Sequence, residues 1–246
     1  MNLNLELTDH CNLRCRMCSQ SLREEAHGVP MRFMSFSAWR KALLGLEKAG
    51  EEVHLCPHWL GEPTLHPSFD QFVEYAFAIN ANNRIFRSFK LHTNAVIFSP
   101  ERARRLVRLA QQPGLAADTF RAIHFSIDAF AAPTYTWIKG ADHRDRVFRN
   151  VERFLQIRSE LGATRPVAHI AFVVQEGNQR EVLPFVKHWQ ARLGAHQLCA
   201  DWPSFDQDAI YLRRWNTGDQ VQADRLHAEA CAAVGLREQA RLPGSF

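Results

Sequence analysis

The sequence predicts an α/β fold built on a parallel sheet, in the form of a partial barrel or an open twisted sheet. Six short runs rich in Val, Ile, Leu and Phe alternate with segments of helical periodicity, which favours parallel strands joined by right-handed crossovers. Polar, turn-forming residues follow successive strands. Because parallel α/β folds place their sites at the carboxyl ends of the strands, we expect one site there. Six strand–helix units are too few for a closed barrel of eight.

The predicted strands cover residues 3–7, 52–56, 88–92, 122–127, 167–174 and 196–200. Most are continuous apolar runs, which is typical of strands that are buried on both faces. The first run differs because apolar and polar residues alternate along it, the pattern of a strand with one buried face.

The segments between these strands have the apolar spacing of amphipathic helices. The predicted helices cover residues 35–49, 69–77, 100–110, 145–161, 181–193 and 220–234. Gly50 and Gly162 follow two of them, where a glycine commonly ends a helix. Ser99 and Pro100 suit the capping position and the first helical position of a third.

The strand–helix rhythm breaks after Asp201. Residues 202–218 are aromatic and contain arginines, without a clear period, and a helical segment follows them. We therefore expect a core domain over residues 1–201 and a C-terminal extension over residues 202–246.

Composition is that of a globular protein, with 46% hydrophobic and 23% charged residues in a chain of 246. The net charge of +4 permits contact with an acidic partner without demanding one, so nucleic acid is allowed but not indicated. No apolar run approaches the ~18 residues that span a membrane, and no signal-peptide pattern precedes Cys11. We expect a cytoplasmic protein that does not contact a membrane.

Three of the six cysteines lie within eight residues, in a CxxxCxxC spacing directly after the first strand: Cys11, Cys15 and Cys18. This crowding is unlike a disulfide framework and indicates metal binding in a reducing compartment. A closed structural metal site takes four protein ligands, and a four-iron cluster usually takes four cysteines. Three thiolates would leave one iron open to another ligand. A structural zinc or a set of inert thiols is the alternative.

The other cysteines, Cys56, Cys199 and Cys231, are isolated and are expected to be free thiols packed as small apolar side chains. His54 and His58 flank Cys56, which leaves open one further metal ligand there.

Other polar clusters follow the later predicted strands. Gly61, Glu62 and Pro63 come after the second strand, and Thr93 and Asn94 after the third. The fourth strand carries Ser126 and Asp128, and Asn178 lies in the turn after the fifth strand. Ser126 and Asp128 are two residues apart, so on a strand both would lie on one face.

Together these motifs resemble the radical S-adenosylmethionine (radical SAM) family, over roughly residues 3–200. The resemblance implies a partial (β/α)6 TIM-like barrel with a short C-terminal extension. It also implies a 4Fe-4S cluster held by Cys11, Cys15 and Cys18, whose open iron chelates the methionine moiety of S-adenosyl-L-methionine. Reductive cleavage then forms a 5′-deoxyadenosyl radical that abstracts hydrogen from a substrate. The electron would come from a reducing partner such as flavodoxin or ferredoxin.

The resemblance also implies roles for residues around the cosubstrate. Gly61, Glu62 and Pro63 match a GGEP-type motif whose backbone receives the methionyl amino group, with Leu60 where a glycine often stands. By the same resemblance, Ser126 and Asp128 would reach the methionyl carboxylate or the ribose. Asn178 would lie near the nucleoside, and Met17 would pack near the adenine. No residue is identified as the catalytic group.

The substrate is not identified, and a peptide, a carbohydrate and an RNA nucleoside all remain open. The runner-up interpretation is a non-catalytic iron–sulfur protein that binds or senses on a degenerate barrel of this family; a structural zinc module comes third. Residues 211–216 resemble the approach to the family's cysteine-rich SPASM module, yet only Cys231 follows. The chain is therefore expected to be either a single-cluster enzyme or a shortened relative of a longer form.

Overall fold

The computed structural model describes residues 1–21, 32–49 and 53–237. Within these residues the centre of the molecule is one parallel sheet of seven strands that is not closed into a barrel, in the order β1–β2–β3–β4–β5–β7–β6. The strands are β1 (Asn2–Asn4), β2 (His54–Cys56), β3 (Ser88–Thr93), β4 (Phe120–Ser126), β5 (Val167–Val174), β6 (His196–Ala200) and β7 (Asp208–Arg214). The prediction of an α/β fold with a partial-barrel sheet is confirmed.

Helices connect these strands: α1 (Phe36–Ala49), α2 (Phe69–Asn83), α3 (Pro100–Ala110), α4 (Ala132–Lys139), α5 (Arg144–Glu160), α6 (Val182–Gln190) and α7 (Gln220–Ala233). Ser99 caps α3 as predicted, because its hydroxyl accepts a hydrogen bond from the Arg102 N–H at 3.2 Å. Gly50 and Glu52, predicted to end α1 and begin β2, lie outside the described residues. None of the helices in the described ranges has the length and hydropathy needed to cross a membrane.

The two faces of the sheet differ in chemistry. One face packs against the helices with apolar side chains that are fully buried in the core: Phe89, Leu91, Ile123, Phe125, Ile170, Phe172, Ile210 and Leu212. The alternate residues of the same strands point the other way. This inner face carries mostly polar groups: Lys90, His92, His124, Ser126, His169, Tyr211 and Arg213. The sheet therefore has an apolar core side and a polar inner side.

Strand β7 was not predicted. It lies inside the segment expected to be a C-terminal extension, and it inserts between β5 and β6. The sequence signal is weak because the strand begins with Asp208 and ends with Arg213 and Arg214, so only four residues between them form an apolar run. The sheet therefore has one strand more than the six predicted, and the boundary at residue 201 stays a prediction.

The connection from β6 to β7 is unusually short. Parallel neighbours usually need a crossover of about a dozen residues or more, often containing a helix, whereas here residues 201–207 suffice. This segment crosses the inner face of the sheet. Trp202 stacks near Tyr211 with ring centroids 6.0 Å apart, and Phe205 lies 5.3 Å from the His169 ring. The segment thus covers part of the polar inner face.

Candidate functional site

The cysteine loop (residues 11–18) follows the β1 end of the sheet and carries three free, half-buried thiols. Its backbone is attached to the end of α4. The Arg14 N–H donates to the Lys139 carbonyl at 3.0 Å, and the Arg16 N–H donates to the Ile138 carbonyl at 2.9 Å. The Arg16 guanidinium also lies 4.3 Å from the centre of the Trp137 ring. Helix α4 therefore sets the position of the loop.

Two glycines let other segments approach this loop closely. A Cβ on Gly61 would lie 2.0 Å from the carbonyl oxygen of Thr8, so a side chain cannot be accommodated there. Gly140 ends α4 with φ of +73°, and a Cβ there would lie 2.9 Å from the carbonyl oxygen of Arg14. The residues that lead into the cysteine loop therefore lie against the turn after β2, and the loop itself lies against the end of α4.

Glu62 is buried, and both of its carboxylate oxygens accept hydrogen bonds. Oε1 accepts from the Thr64 N–H at 3.2 Å, the Thr64 hydroxyl at 2.5 Å and the Thr93 hydroxyl at 2.8 Å. Oε2 accepts from the Asn94 N–H at 2.7 Å. Burial raises the pKa of the Glu62 carboxyl, and these hydrogen bonds oppose the rise. The side chain therefore joins the turn after β2 to the end of β3.

Asn94 carries this connection to the cysteine loop. Its side-chain amide donates to the Cys11 sulfur at 3.5 Å and to the Asn12 side-chain oxygen at 2.7 Å. Asn94 is buried, and the Glu62 carboxylate fixes its backbone. Glu62 thus acts on the cysteine loop through Asn94.

The backbone N–H groups around Gly61 are already used inside the chain. Those of Leu60 and Gly61 donate to the Glu6 carboxylate at 2.6 and 2.7 Å, and that of Glu62 donates to the His10 carbonyl at 2.8 Å. An amino group would need carbonyl oxygens rather than N–H groups from this turn. The predicted contact of Gly61, Glu62 and Pro63 with the cosubstrate stays a prediction.

Ser126 and Asp128 meet as predicted, although Asp128 lies beyond the end of β4 in a turn with φ of +64°. The Ser126 hydroxyl donates to Asp128 Oδ2 at 3.0 Å. Lys139 forms an ion pair with the same carboxylate and donates to the Ser126 carbonyl at 3.0 Å. Asp128 Oδ1 accepts from the Val173 N–H at 2.8 Å. Asp128 is fully buried and Lys139 is only 1% exposed.

Lys139 was missed by the sequence reasoning. Burial pulls the pKa of its ammonium down, but the Asp128 carboxylate and then Cys15 raise the pKa above its usual value. A lysine at the end of a short helix carries no sequence signal of this pairing. The one local hint is Gly140, which is typical of the position that ends a helix.

Asn178 is also buried, and its side chain bonds to backbone on both sides. Its amide N–H groups donate to the carbonyls of Asp128 and Val173, each at 2.8 Å, and its oxygen accepts from the Gln175 N–H at 2.8 Å. Asn178 therefore joins the ends of β4 and β5. Met17 is half-buried on the cysteine loop.

The surroundings of Cys11 and Cys15 favour the protonated thiol when no metal is bound, because they raise the pKa of both side chains. Burial raises the pKa of Cys11 to about 12, with the Glu62 carboxylate adding to the rise. Burial also raises the pKa of Cys15, and the Lys139 ammonium opposes that rise. A bound metal would supply the positive charge that deprotonates such thiols.

The donor set fits an iron–sulfur cluster. Soft sulfur ligands select such clusters, and the Asn94 amide N–H at Cys11 is the kind of hydrogen bond to sulfur that tunes them. Among the described residues, no three His, Cys, Asp or Glu side chains are placed to share a single metal ion. Cysteines that hold a cluster each bind a separate iron, so the three thiols need not converge on one point. His54, considered as a further ligand, instead hydrogen-bonds the Ser88 hydroxyl at 2.7 Å.

The sequence has recognisable relatives. A sequence model of the Radical SAM superfamily matches residues 5–178. A "tungsten-containing aldehyde ferredoxin oxidoreductase cofactor-modifying protein" from Pyrococcus furiosus is 26% identical over 192 residues, which is 78% of this chain and 48% of that protein.

Solved structures share the fold. The structure of anSMEcpe with bound AdoMet gives a TM-score of 0.60 at 17% identity, covering 86% of this chain and 49% of that one. SuiB from Streptococcus suis gives 0.57 at 13% identity, covering 96% and 47%. HydG, a maturase of the FeFe-hydrogenase, gives 0.57 at 12% identity, covering 95% and 48%. The chain spans about half the length of the proteins it matches.

Proposed function

The chain belongs to the radical SAM superfamily, and from that premise we propose that it cleaves S-adenosyl-L-methionine reductively and removes a hydrogen atom from an unidentified substrate. The observation that carries the proposal is the cysteine loop itself. Three half-buried thiols lie on one loop that is fixed on both sides, with an amide N–H directed at Cys11 and a buried ammonium close to Cys15.

In this proposal Cys11, Cys15 and Cys18 hold the 4Fe-4S cluster that the family implies. When bound, the cluster supplies the electron for cleavage of the cosubstrate's carbon–sulfur bond. The chain's own residues place it: Asn94 donates to the Cys11 sulfur, and Lys139 adds positive charge near Cys15. A flavodoxin or ferredoxin is proposed as the reductant.

The polar groups at the strand ends would hold the cosubstrate. We assign the methionyl carboxylate or ribose to Ser126 and Asp128, which Lys139 keeps in one cluster. Asn178 fixes the turn beside them, and Met17 would pack near the adenine. The backbone of Gly61, Glu62 and Pro63 would face the methionyl amino group through its carbonyl oxygens.

A peptide, a carbohydrate and an RNA nucleoside remain the proposed substrate classes. The name of the Pyrococcus furiosus relative adds a small enzyme cofactor to these, since that protein is described as modifying one. Cofactor modification and peptide modification are separable by testing each class of substrate with the same loaded enzyme.

The test begins with anaerobic reconstitution of the full chain with iron and sulfide. The wild-type protein should hold about four iron atoms per chain, and the triple variant Cys11→Ala/Cys15→Ala/Cys18→Ala should hold none. Cys199→Ala is the matched control, because this thiol is also half-buried but isolated, and it should keep the full iron content. Equal iron content in the wild type and the triple variant would refute the cluster assignment.

The second half of the test separates an enzyme from a protein that only binds a cluster. Electron paramagnetic resonance of the reduced protein should change when S-adenosyl-L-methionine is added, and 5′-deoxyadenosine should form. A cluster signal that is indifferent to the cosubstrate, with no 5′-deoxyadenosine, would instead support the non-catalytic iron–sulfur alternative. Zinc in place of iron would support the structural module.

A further inference from the structure

Four imidazoles form a continuous row along the inner face of the sheet. His58 stacks on His92 with ring centroids 5.2 Å apart, and His92 stacks on His124 at 4.2 Å. His169 meets His124 edge-on at 4.6 Å. Strand register explains the contacts, because His92, His124 and His169 are direct neighbours on three adjacent strands. We call these four residues the histidine row.

Several ring nitrogens in the row have no hydrogen-bond partner among the described residues. His124 is 2% exposed, and its Nδ1 lies 3.0 Å from the Tyr211 hydroxyl, but its Nε2 has no partner there. Neither ring nitrogen of the fully buried His169 has a partner within strict hydrogen-bond geometry, although the backbone of Ser204 and Gln207 lies close enough to raise its pKa. Buried polar groups in folded proteins are nearly always paired, so these nitrogens point to a ligand.

Two cations accompany the row. Lys90 precedes His92 by two residues on β3, and Arg213 follows Tyr211 by two on β7, so both lie on the inner face. Both act electrostatically on His92 and His124. Neither forms an ion pair with any residue in the described ranges; the Arg213 guanidinium lies 4.2 Å from the centre of the Trp202 ring. Lys139, by contrast, has a carboxylate partner.

The row itself is neutral, so the positive charge of this region comes from the two cations. Burial lowers the pKa of His92 and His124, and the neighbouring positive groups lower each pKa further. Burial also lowers the pKa of His58 to about 4. The carboxylate nearest His169 is Asp208, which is already paired with Arg158 at 2.5 Å. Neutral imidazole N–H donors between two cations form a surface complementary to an anion.

We propose that the histidine row, with Lys90 and Arg213, is a subsite that binds an oxyanion group of the substrate, either a phosphate ester or a carboxylate. That the bound molecule is the substrate rests on the proposed function. The subsite adjoins the cysteine loop: His92 lies at the end of β3, and Asn94, directly after that strand, contacts Cys11. The oxyanion would anchor one end of the substrate while the reacting end faces the loop. Neutral peptides and neutral sugars are then poor substrates.

Trp202 marks the access to the subsite. It is 47% exposed, and its ring lies 6.5 Å from that of His92 and 6.1 Å from that of His124. His58 and His92 are half-buried, whereas His124 and His169 are buried, so the row runs from an accessible end into the interior. The Trp202 ring therefore lies beside His92 and His124, where the row passes from its accessible end into the interior.

The test is a binding titration of the reconstituted full chain by calorimetry, with inorganic phosphate in one arm and succinate in the other. Sodium chloride at matched ionic strength is the blank. Lys90→Met and Arg213→Met should each weaken binding about tenfold or more, because each removes a charge-assisted contact. Lys90→Arg, which keeps the positive charge, should bind with an affinity close to that of the wild type. The matched control is Arg108→Met, which removes an exposed charge on the opposite, helical side and should leave affinity unchanged.

Preference for phosphate or for succinate identifies the group that the substrate carries. Signal no greater than the chloride blank in both arms, or affinity unchanged in Lys90→Met and Arg213→Met, would overturn the proposal. Competitive displacement by S-adenosyl-L-methionine would also overturn it, since the cations would then serve the methionyl carboxylate. Iron content and 5′-deoxyadenosine formation, measured on the same samples, judge the proposed function separately. Binding with no 5′-deoxyadenosine would reject only that function.

Discussion

Two polar clusters lie on or beside the same sheet, and they differ in how their groups are paired. The strand-end network, made of Glu62, Asp128, Lys139 and Asn178, is closed: its carboxylate oxygens, ammonium and amide all contact groups of the chain. In the histidine row, by contrast, ring nitrogens lack hydrogen-bond partners among the described residues, and the neighbouring Lys90 and Arg213 lack carboxylate partners there. A buried polar network whose groups are all paired makes a structure rigid and unique, whereas buried groups without partners in the chain indicate a bound ligand, water or ion. The strand-end network is therefore fixed by the chain itself before Ser126 and Asp128 would meet the cosubstrate, whereas the histidine row still has unpaired groups for the substrate.

The largest expected effect comes from opening the strand-end network. Lys139→Met would leave the buried Asp128 carboxylate without its cation, so we expect the free energy of unfolding to fall by about 3–5 kcal/mol. Urea denaturation measures it. Lys41→Met on the exposed side of α1 is the control and should change the value by less than about 0.5 kcal/mol. Equal effects of the two substitutions would show that the ion pair does not hold the framework.

A smaller loss is expected from Asn178→Ala, which removes three hydrogen bonds to the ends of β4 and β5. Buried backbone groups would lose their partner, and the free energy of unfolding should drop by about 2 kcal/mol. Asn82→Ala on the exposed side of α2, where the side chain makes a single local bond, should cost less than about 0.5 kcal/mol. If Asn178→Ala were as mild as that control, Asn178 would not belong to the framework.

The smallest effect at neutral pH should come from His169→Leu in the histidine row. Among the described residues the ring has only the nearby backbone of Ser204 and Gln207, and no hydrogen bond of strict geometry is lost, so the free energy of unfolding at pH 7 should change by less than about 1 kcal/mol. A loss as large as that of Asn178→Ala would mean that the row is part of the framework after all.

His169→Leu should also change the pH dependence of stability. Burial lowers the pKa of His169 from 6.5 to about 4, with Asp208 opposing the shift. Between these values the unfolded chain binds the proton and the folded chain does not. Wild-type stability therefore falls as pH drops from 6.5 towards 4, by up to about 1.4 kcal/mol per pH unit for this residue. Urea denaturation at several pH values should show a shallower slope in the variant; an unchanged slope contradicts the assignment.

Much of the fold was predictable from local patterns. The predicted bounds of residues 167–174 and 196–200 coincide with β5 and β6. Strand β5 is a mostly apolar run of the length that marks a buried strand, whereas β6 is a half-buried edge strand. Strand β7 was not predictable in this way, since charged residues at both ends leave only a short apolar run. Helix α4 was missed because it is only eight residues long and Thr134 and Thr136 favour helices poorly. Contacts with the cysteine loop and the Lys139–Asp128 ion pair hold it instead.

The parts of the candidate site that lie at the ends of predicted strands could be predicted from the sequence. The sequence located the cysteine loop and the pairing of Ser126 with Asp128. It did not locate Lys139, because a buried ion pair between residues on different elements has no local signature. The histidine row also escaped notice, since its members are far apart in sequence and only the register of β3, β4 and β5 aligns them. The assignments to cluster and cosubstrate stay predictions until the iron and 5′-deoxyadenosine measurements are made.

The short crossover between β6 and β7 has an evolutionary consequence. Residues 201–207 cover the histidine row, yet they lie outside the ladders that build the sheet, and side chains and single backbone bonds attach them. Arg165 donates to the Phe205 carbonyl and Arg214 to the Asp201 carboxylate. Ser204 is attached to Gln197, and the Asp201 N–H donates to the Leu212 carbonyl at 2.7 Å. Substitutions between these attachment points can reshape the cover without disturbing strand pairing. Changes in this one short segment can thus alter which substrates bind while the sheet stays unchanged.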